Sequence, residues 1–309
     1  MMIPRIAATD RERFLEEFYH AEQPVVLTGA VQTPATAEEV CEKLNTRIVE
    51  DETASQRLLW YDVRRDLLDT ICSTPAIVDE MMNPDEAFLR ENCVRIWFNP
   101  GGHITPWHYD GHSLHVFNLQ LKGLKRWTIV APETPFSCTP FSHTVIKKQP
   151  SLDGKRVYEF DLDEGDMLFL PRYWYHYVES HGQMNINVNW VLMPIVHAVP
   201  TPTATREAEM MWLKSRLDPM LPAGAKQTLH TYAGVGKPAV DKLTENVTTA
   251  AGLARFGKEL ARVPLWSIAL PAHIMKLQAL LRTKRLLRNL RGKPISEAAA
   301  PEHARVANY

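Results

Sequence analysis

A mainly β core with helices on either side is the architecture that this 309-residue sequence predicts. Three observations carry the prediction. From Asn92 to about residue 195, short runs rich in β-branched and aromatic residues recur at roughly 8–12-residue spacing, as in a sandwich or barrel. Turn-forming residues separate the runs. Before this stretch short helices alternate with strands, and beyond it the composition shifts toward helix formers.

In chain order, Thr9-Asp10 caps a short helix through about Tyr19. Pro24–Val31 is a compact apolar run and reads as a strand. Thr36-Ala37-Glu38-Glu39 has the spacing of a capping box and starts a helix to about Leu44. Leu58–Val63 reads as a strand and Pro75–Met82 as a helix. The β runs follow: Val94–Phe98, Leu114–Leu121, Arg126–Val130, Val157–Leu162, Met167–Leu170, Tyr175–Val178 and Ile186–Leu192. Turn signals fall at Asn99-Pro100-Gly101-Gly102, Lys122-Gly123, Asp153-Gly154 and Glu164-Gly165. Beyond Pro200 and Pro202, helices are predicted over Arg206–Leu217, Ala239–Lys258 and His273–Leu290.

Composition narrows the class. With 45% hydrophobic and 23% charged residues, the chain can bury a core and does not resemble a disordered one. Val263–Met275 is too short for a bilayer span and is broken by Pro264 and Pro271, so no membrane span is expected. Charges in Met1–Phe14 replace the apolar run that a secretory signal needs. Cys41, Cys72, Cys93 and Cys138 lack metal-ligand or redox spacing and read as reduced thiols of a cytoplasmic protein. The net charge of −1 conceals a split, with +8 from residue 251 onward and −9 before it.

The chemistry is expected in the β region. His108-Tyr109-Asp110 lies just past a Gly/Pro-rich turn, and alternate residues of an extended chain project to one side. His176 comes 66 residues after Asp110. Two imidazoles and one carboxylate make the facial triad of non-haem Fe(II) oxygenases, which leaves open coordination positions. The plainer reading makes His108 a surface residue and His176 an aromatic packing partner. Lys125 follows a turn at a strand start, where a buried ammonium needs an anion; otherwise it is a solvated hairpin residue. Thr105 is either a pocket hydroxyl or a turn hydroxyl. His103, His112 and His115 crowd the same region and read mainly as rim or strand-surface residues, and Trp97, Trp107 and Trp190 as core or pocket wall.

On these motifs the sequence resembles the Jumonji-C or cupin-like Fe(II)/2-oxoglutarate oxygenases, from Pro24-Val25-Val26-Leu27 through Trp190. The resemblance implies a double-stranded β-helix, or jelly-roll, core. It implies His108, Asp110 and His176 as metal ligands and catalytic centre, with Fe(II) as the metal and 2-oxoglutarate and O2 as co-substrates. Lys125, in Gly123-Leu124-Lys125-Arg126-Trp127, would pair with the distal carboxylate of 2-oxoglutarate, assisted by Thr105. Asn118 would sit near metal and co-substrate, and Asn189 of Asn185-Ile186-Asn187-Val188-Asn189-Trp190 would point inward. The implied reaction is hydroxylation of a small metabolite, amino acid or protein side chain, with N-demethylation as the same chemistry at an N-methyl carbon.

The expected organisation is an oxygenase domain over residues 1–195, followed by a helical region over residues 196–309. Within the domain, a mixed α/β segment (residues 1–91) precedes the β core (residues 92–195). Segment 276–293 holds seven basic residues and no acid, on a helix of poor amphipathicity. Docking of this segment or homodimerisation through the C-terminal helices is expected ahead of nucleic-acid contact. The competing class is a catalytically silent cupin-like module that recruits a protein or RNA through those helices.

Overall fold

A computed structural model describes residues 1–31, 36, 39–40, 42, 59–63, 68–81, 94–111, 113–133, 135–138, 143–192, 201–217, 254 and 305–308. Within them lie β1 (Arg5–Ala7), α1 (Arg11–Arg13), which runs into a π-turn over Phe14–Tyr19, β2 (Val25–Thr28), β3 (Leu59–Val63) and α2 (Ala76–Met81). Next come β4 (Val94–Pro100), β5 (Ile104–His108), β6 (His115–Val130), β7 (Val157–Leu162), β8 (Met167–Leu170) and β9 (Tyr175–Leu192). The last elements are α3 (Pro202–Leu217) and β10 (Arg305–Asn308).

Two long strands organise the β core. β6 and β9 are antiparallel and paired from His115↔Leu192 to Val130↔Tyr175. The first half of β6 also pairs with β8, and its second half with β7. The late half of β9 pairs with β4, and its early half with β5. One half of each long strand thus belongs to a larger layer, β1-β2-β8-β6-β9-β4-β3-β10, and the other half to a smaller layer, β7-β6-β9-β5. This is the jelly-roll core that the resemblance implies.

The bend between the layers has a local cause. The β6/β9 register shifts between Gln120 and Lys122 and again between Lys122 and Leu124. Gly123 at φ 79° and Gly182 at φ 78° supply the left-handed backbone for this irregularity. A Cβ on Gly123 would lie 2.7 Å from the Met184 carbonyl oxygen, so no larger residue fits. Lys122-Gly123 is therefore not the strand-ending turn that the sequence suggests, and the 179–185 segment does not separate two strands. The pairing continues through both, because glycine absorbs the extra residue without ending the ladder. The shift also changes which residues face inward. Asn118 and Gln120 do so before it, and Lys125, Trp127 and Ile129 after it.

The outward face of the larger layer is apolar. Phe117, Leu119, Leu121, Ile186, Val188 and Trp190 pack there against Phe14, Phe18, Val25, Leu27, Ile77 and Val78. The π-turn places Phe14, Phe18 and Tyr19 together on its buried side. Asp10 stands at the N-cap of α1 but makes no side-chain cap bond, contrary to the capping expected of it. The capping box does form, with Thr36 N–H donating to Glu39 Oε2 (2.7 Å) and Glu39 N–H to Thr36 Oγ1 (3.1 Å).

α3 starts four residues earlier than the composition suggests. Pro202 takes the first helical position and Ala204 N–H donates to Thr201 Oγ1 (3.1 Å), a Thr-Pro start. The helices expected over 239–258 (apart from residue 254, which is helical) and 273–290, and the basic segment 276–293, lie outside the described residues. At the far end β10 pairs antiparallel with β3, where only helices were expected. Cys72 and Cys138 are buried, and burial with nearby Asp69 pushes the Cys72 thiol up to about 12. Cys41 and Cys93 lie outside the described residues. Among those residues, no helix is long and apolar enough to cross a membrane.

Candidate metal and co-substrate site

The smaller layer brings the triad together. β5 pairs with β9 so that His108 lies opposite His176. The two imidazole centroids are 4.0 Å apart. Asp110 lies two residues past the end of β5, yet its carboxylate faces both rings. Oδ1 is 4.0 Å from His108 Nε2 and Oδ2 is 4.0 Å from His176 Nε2. One ligand atom from each residue falls within 4.8 Å of the others.

Both rings are oriented through their other nitrogen. His108 Nδ1 donates to the Pro106 carbonyl (2.7 Å) and His176 Nδ1 to the Trp174 carbonyl (3.1 Å), with the proton on Nδ1 in each. That tautomer turns both Nε2 lone pairs toward Asp110, the arrangement that metal-binding histidines use. Burial and the neighbouring His176 push the His108 imidazole down to about 4, against the pull of Asp110. The ring is then neutral near pH 7, as a ligand must be. His176 is buried, while His108 and Asp110 are part-exposed, so the triangle opens to solvent on one side. The donor set, two imidazoles and a carboxylate, fits a divalent first-row ion.

The backbone carrying the ligands is clamped. Arg172 is buried and paired with buried Glu22, and its N–H donates to His115 Nδ1 (3.0 Å). Ser113, just after the Asp110 loop, accepts from the Tyr173 hydroxyl (2.6 Å). Glu22, Ser113 and Tyr173 are the three non-glycine residues with positive φ among the described residues. Backbone strain thus gathers where the Asp110 loop meets the turn before His176. His115, expected at a rim or strand surface, is fully buried in this clamp. His112 lies outside the described residues.

Lys125 sits inside the roll, 6% exposed, in the continuous strand and not at a hairpin. Its Nζ donates to Asn99 Oδ1 (2.8 Å) and to Asn187 Oδ1. Both partners are neutral amides, and burial lowers the ammonium to about 7. Beside it, Asn99 Nδ2 is buried without a hydrogen-bond partner. A cation held by neutral groups next to an unused donor suits a carboxylate oxygen pair. Lys125 pairs across the ladder with Ser180, four residues along β9 from His176. That is about 13 Å of strand, a gap suited to a lysine side chain plus a short dicarboxylate.

The other expected residues share this inner face. Thr105 on β5 pairs with Val178, between the levels of His176 and Ser180. Asn118 is buried and accepts from Asn187 Nδ2 (3.1 Å). Asn189 lies opposite Asn118, its amide 2.9 Å from that of Asn187. At the lysine, the contact is made by Asn187 and Asn99 and not by Asn189. The Asn185/Asn187/Asn189 alternation could have pointed to Asn187. Nothing in the sequence pointed to Asn99, which sits in a turn signal. Of the tryptophans, Trp107 and Trp190 are buried as expected, and Trp127 stands 5.7 Å from the His176 ring.

Residues 32–191 match a family model described as a cupin-like domain. HSPB1-associated protein 1 of Rattus norvegicus is 29% identical over 164 residues, covering 47% of this chain and 34% of that protein. The tRNA wybutosine-synthesizing protein 5 of Gallus gallus is 23% identical over 253 residues, covering 63% of this chain and 78% of that protein. The lysine-specific demethylase JMJ30 of Arabidopsis thaliana is 30% identical over 118 residues, covering 33% of this chain and 27% of that protein. The chain thus spans about a third of the length of the HSPB1-associated protein it matches. The family model covers more than half of the chain, including every expected ligand residue, and the protein belongs to the JmjC-type cupin-like family.

Proposed function

We propose that the protein is an Fe(II)- and 2-oxoglutarate-dependent oxygenase that hydroxylates a C–H bond of a metabolite, amino acid or protein side chain. The observation that carries this reading is the His108–Asp110–His176 triangle, with both Nε2 atoms turned toward one carboxylate. When bound, the metal and 2-oxoglutarate supply O2 activation coupled to oxidative decarboxylation of the co-substrate to succinate and CO2.

The chain's own residues bind, orient and exclude water. His108, Asp110 and His176 would hold the ion, and the carbonyls of Pro106 and Trp174 keep the imidazoles aimed. Lys125 and the idle Asn99 amide would take the distal carboxylate, with Thr105, Asn118 and Asn189 lining the path between. Trp127, Ile129 and Val178 close the interior beside His176 against water. The part-exposed side of His108 and Asp110 is where the primary substrate would approach.

Under anaerobic conditions, Fe(II) with 2-oxoglutarate should give a visible metal-to-ligand charge-transfer band in the wild-type protein. Asp110→Ala and His176→Ala should lose both the band and substrate-stimulated succinate formation. Full succinate formation in either variant overturns the triad assignment. Bound iron without the band would favour a cupin that does not use 2-oxoglutarate. Failure to bind iron would favour the silent recruiting module, a role that the name of the HSPB1-associated relatives brings to mind.

A further inference from the structure

Tyr109 stands between two of the proposed ligands, His108 and Asp110, and points the opposite way. Its ring is 1% exposed and lies in an outer cluster with Phe136, Tyr173, Tyr175 and Ala204, on the side of the smaller layer away from the triad. The phenol oxygen makes two hydrogen bonds, donating to Glu207 Oε2 (2.9 Å) and accepting from Arg206 NH1 (2.8 Å). Both partners come from α3. Glu207 is fully buried, and His143 Nε2 lies 3.1 Å from its Oε2.

The same segment is held along its backbone. Val145 N–H donates to the Trp107 carbonyl (2.8 Å), and His108 bridges Thr144. The His143 ring presses on Gly111, where a Cβ would collide with the ring carbon Cε1. Trp107–Gly111 is therefore clamped from outside while His108 and Asp110 face inward. A buried carboxylate is costly unless several donors satisfy it. Here one of those donors is the residue whose neighbours form the triad.

We infer that Glu207 of α3 is a positioning residue for the metal site, acting through Tyr109 to set the separation of His108 and Asp110 from His176. The inference rests on the triad assignment. It makes α3 part of the unit that binds the metal, so the functional boundary falls after α3 and not near residue 195. Partners one step removed from the ligands commonly change metal affinity 10–100-fold when lost.

The test is Co(II) titration of the purified full-length chain, read as a dissociation constant and as the visible ligand-field spectrum. Tyr109→Phe, which keeps the ring and removes only the hydroxyl, should weaken Co(II) binding at least about tenfold and shift the spectrum. Glu207→Gln should do the same. Phe14→Leu, in the separate outward core, should lower the thermal midpoint while leaving affinity and spectrum at wild type. Wild-type affinity and spectrum in Tyr109→Phe overturn the inference, whether or not Glu207→Gln folds. A loss matched by Phe14→Leu also overturns it, because general loosening would then suffice. Asp110→Ala separates the two levels. If it binds Co(II) like wild type, the triad reading fails. If it loses Co(II) while Tyr109→Phe does not, only the positioning role fails.

Discussion

The two faces of the larger layer are made by the same strands and do opposite work. On the outward face, Phe117, Leu119, Ile186 and Val188 meet Phe14, Phe18 and Leu27 in a dry apolar contact. On the inward face, Asn118, Gln120, Asn185 and Asn187 are as deeply buried, yet they are amides. Burial alone therefore does not distinguish scaffold from site. What differs is how the buried groups are satisfied. The outward face gains stability from each apolar area removed from water. The inward face holds polar groups that need partners, and Asn99 Nδ2 and Gln120 Oε1 lack one. Unused hydrogen-bonding capacity next to a buried cation costs stability in the empty protein and is recovered when a ligand binds.

Three substitutions or conditions sharpen this contrast. The largest effect on stability is expected from the outward face. Phe14→Ala should cost about 3–5 kcal/mol in urea-monitored unfolding, with the dissociation constant for 2-oxoglutarate unchanged in the folded protein. A comparable loss of co-substrate affinity would mean that the two faces are not separable. Lys125→Ala should do the reverse, weakening 2-oxoglutarate binding by about 2–5 kcal/mol while Co(II) still binds. An unaltered 2-oxoglutarate requirement would remove Lys125 from the pocket.

The smallest effect is a pH dependence. Burial holds Lys125 near 7 in the empty protein, so above that pH it is mostly neutral. A bound dianion favours the ammonium, and binding must then take up a proton. Affinity should be level below pH 7 and fall up to about tenfold per unit as pH rises above it. His103 faces the same region and is lowered by burial and by Lys125, so it is neutral throughout that window. Calorimetry in buffers of different ionisation enthalpy reads the proton directly. Lys125→Arg, which stays charged, should flatten the profile. A wild-type profile that is flat from pH 7 to 9 would show that Lys125 is already charged before binding.

The strand runs, the glycine punctuation, the capping box and the His-x-Asp…His spacing were all legible in the sequence, because each is a local pattern with a fixed period. Val157–Leu162 and Met167–Leu170 stand at their expected bounds. The long strands were not legible as such. Lys122-Gly123 looks like any turn, and only the presence of the partner strand β9 turns it into a bulge that pairing can cross. The charge asymmetry remains a sequence fact, because every basic residue of its basic half except Arg305 lies outside the described residues.

The residue types of the triad and the buried lysine were thus determined by the sequence, since chemistry belongs to side chains. Their relation in space was decided by the tertiary structure. The register His108↔His176, the amides around Lys125 and the reach of Glu207 to Tyr109 all join residues far apart in the chain. Alternation along a strand says which residues share a face, but not which face closes on a site. That depends on where two glycines let paired strands shift register and bend, and on what the other layers cover.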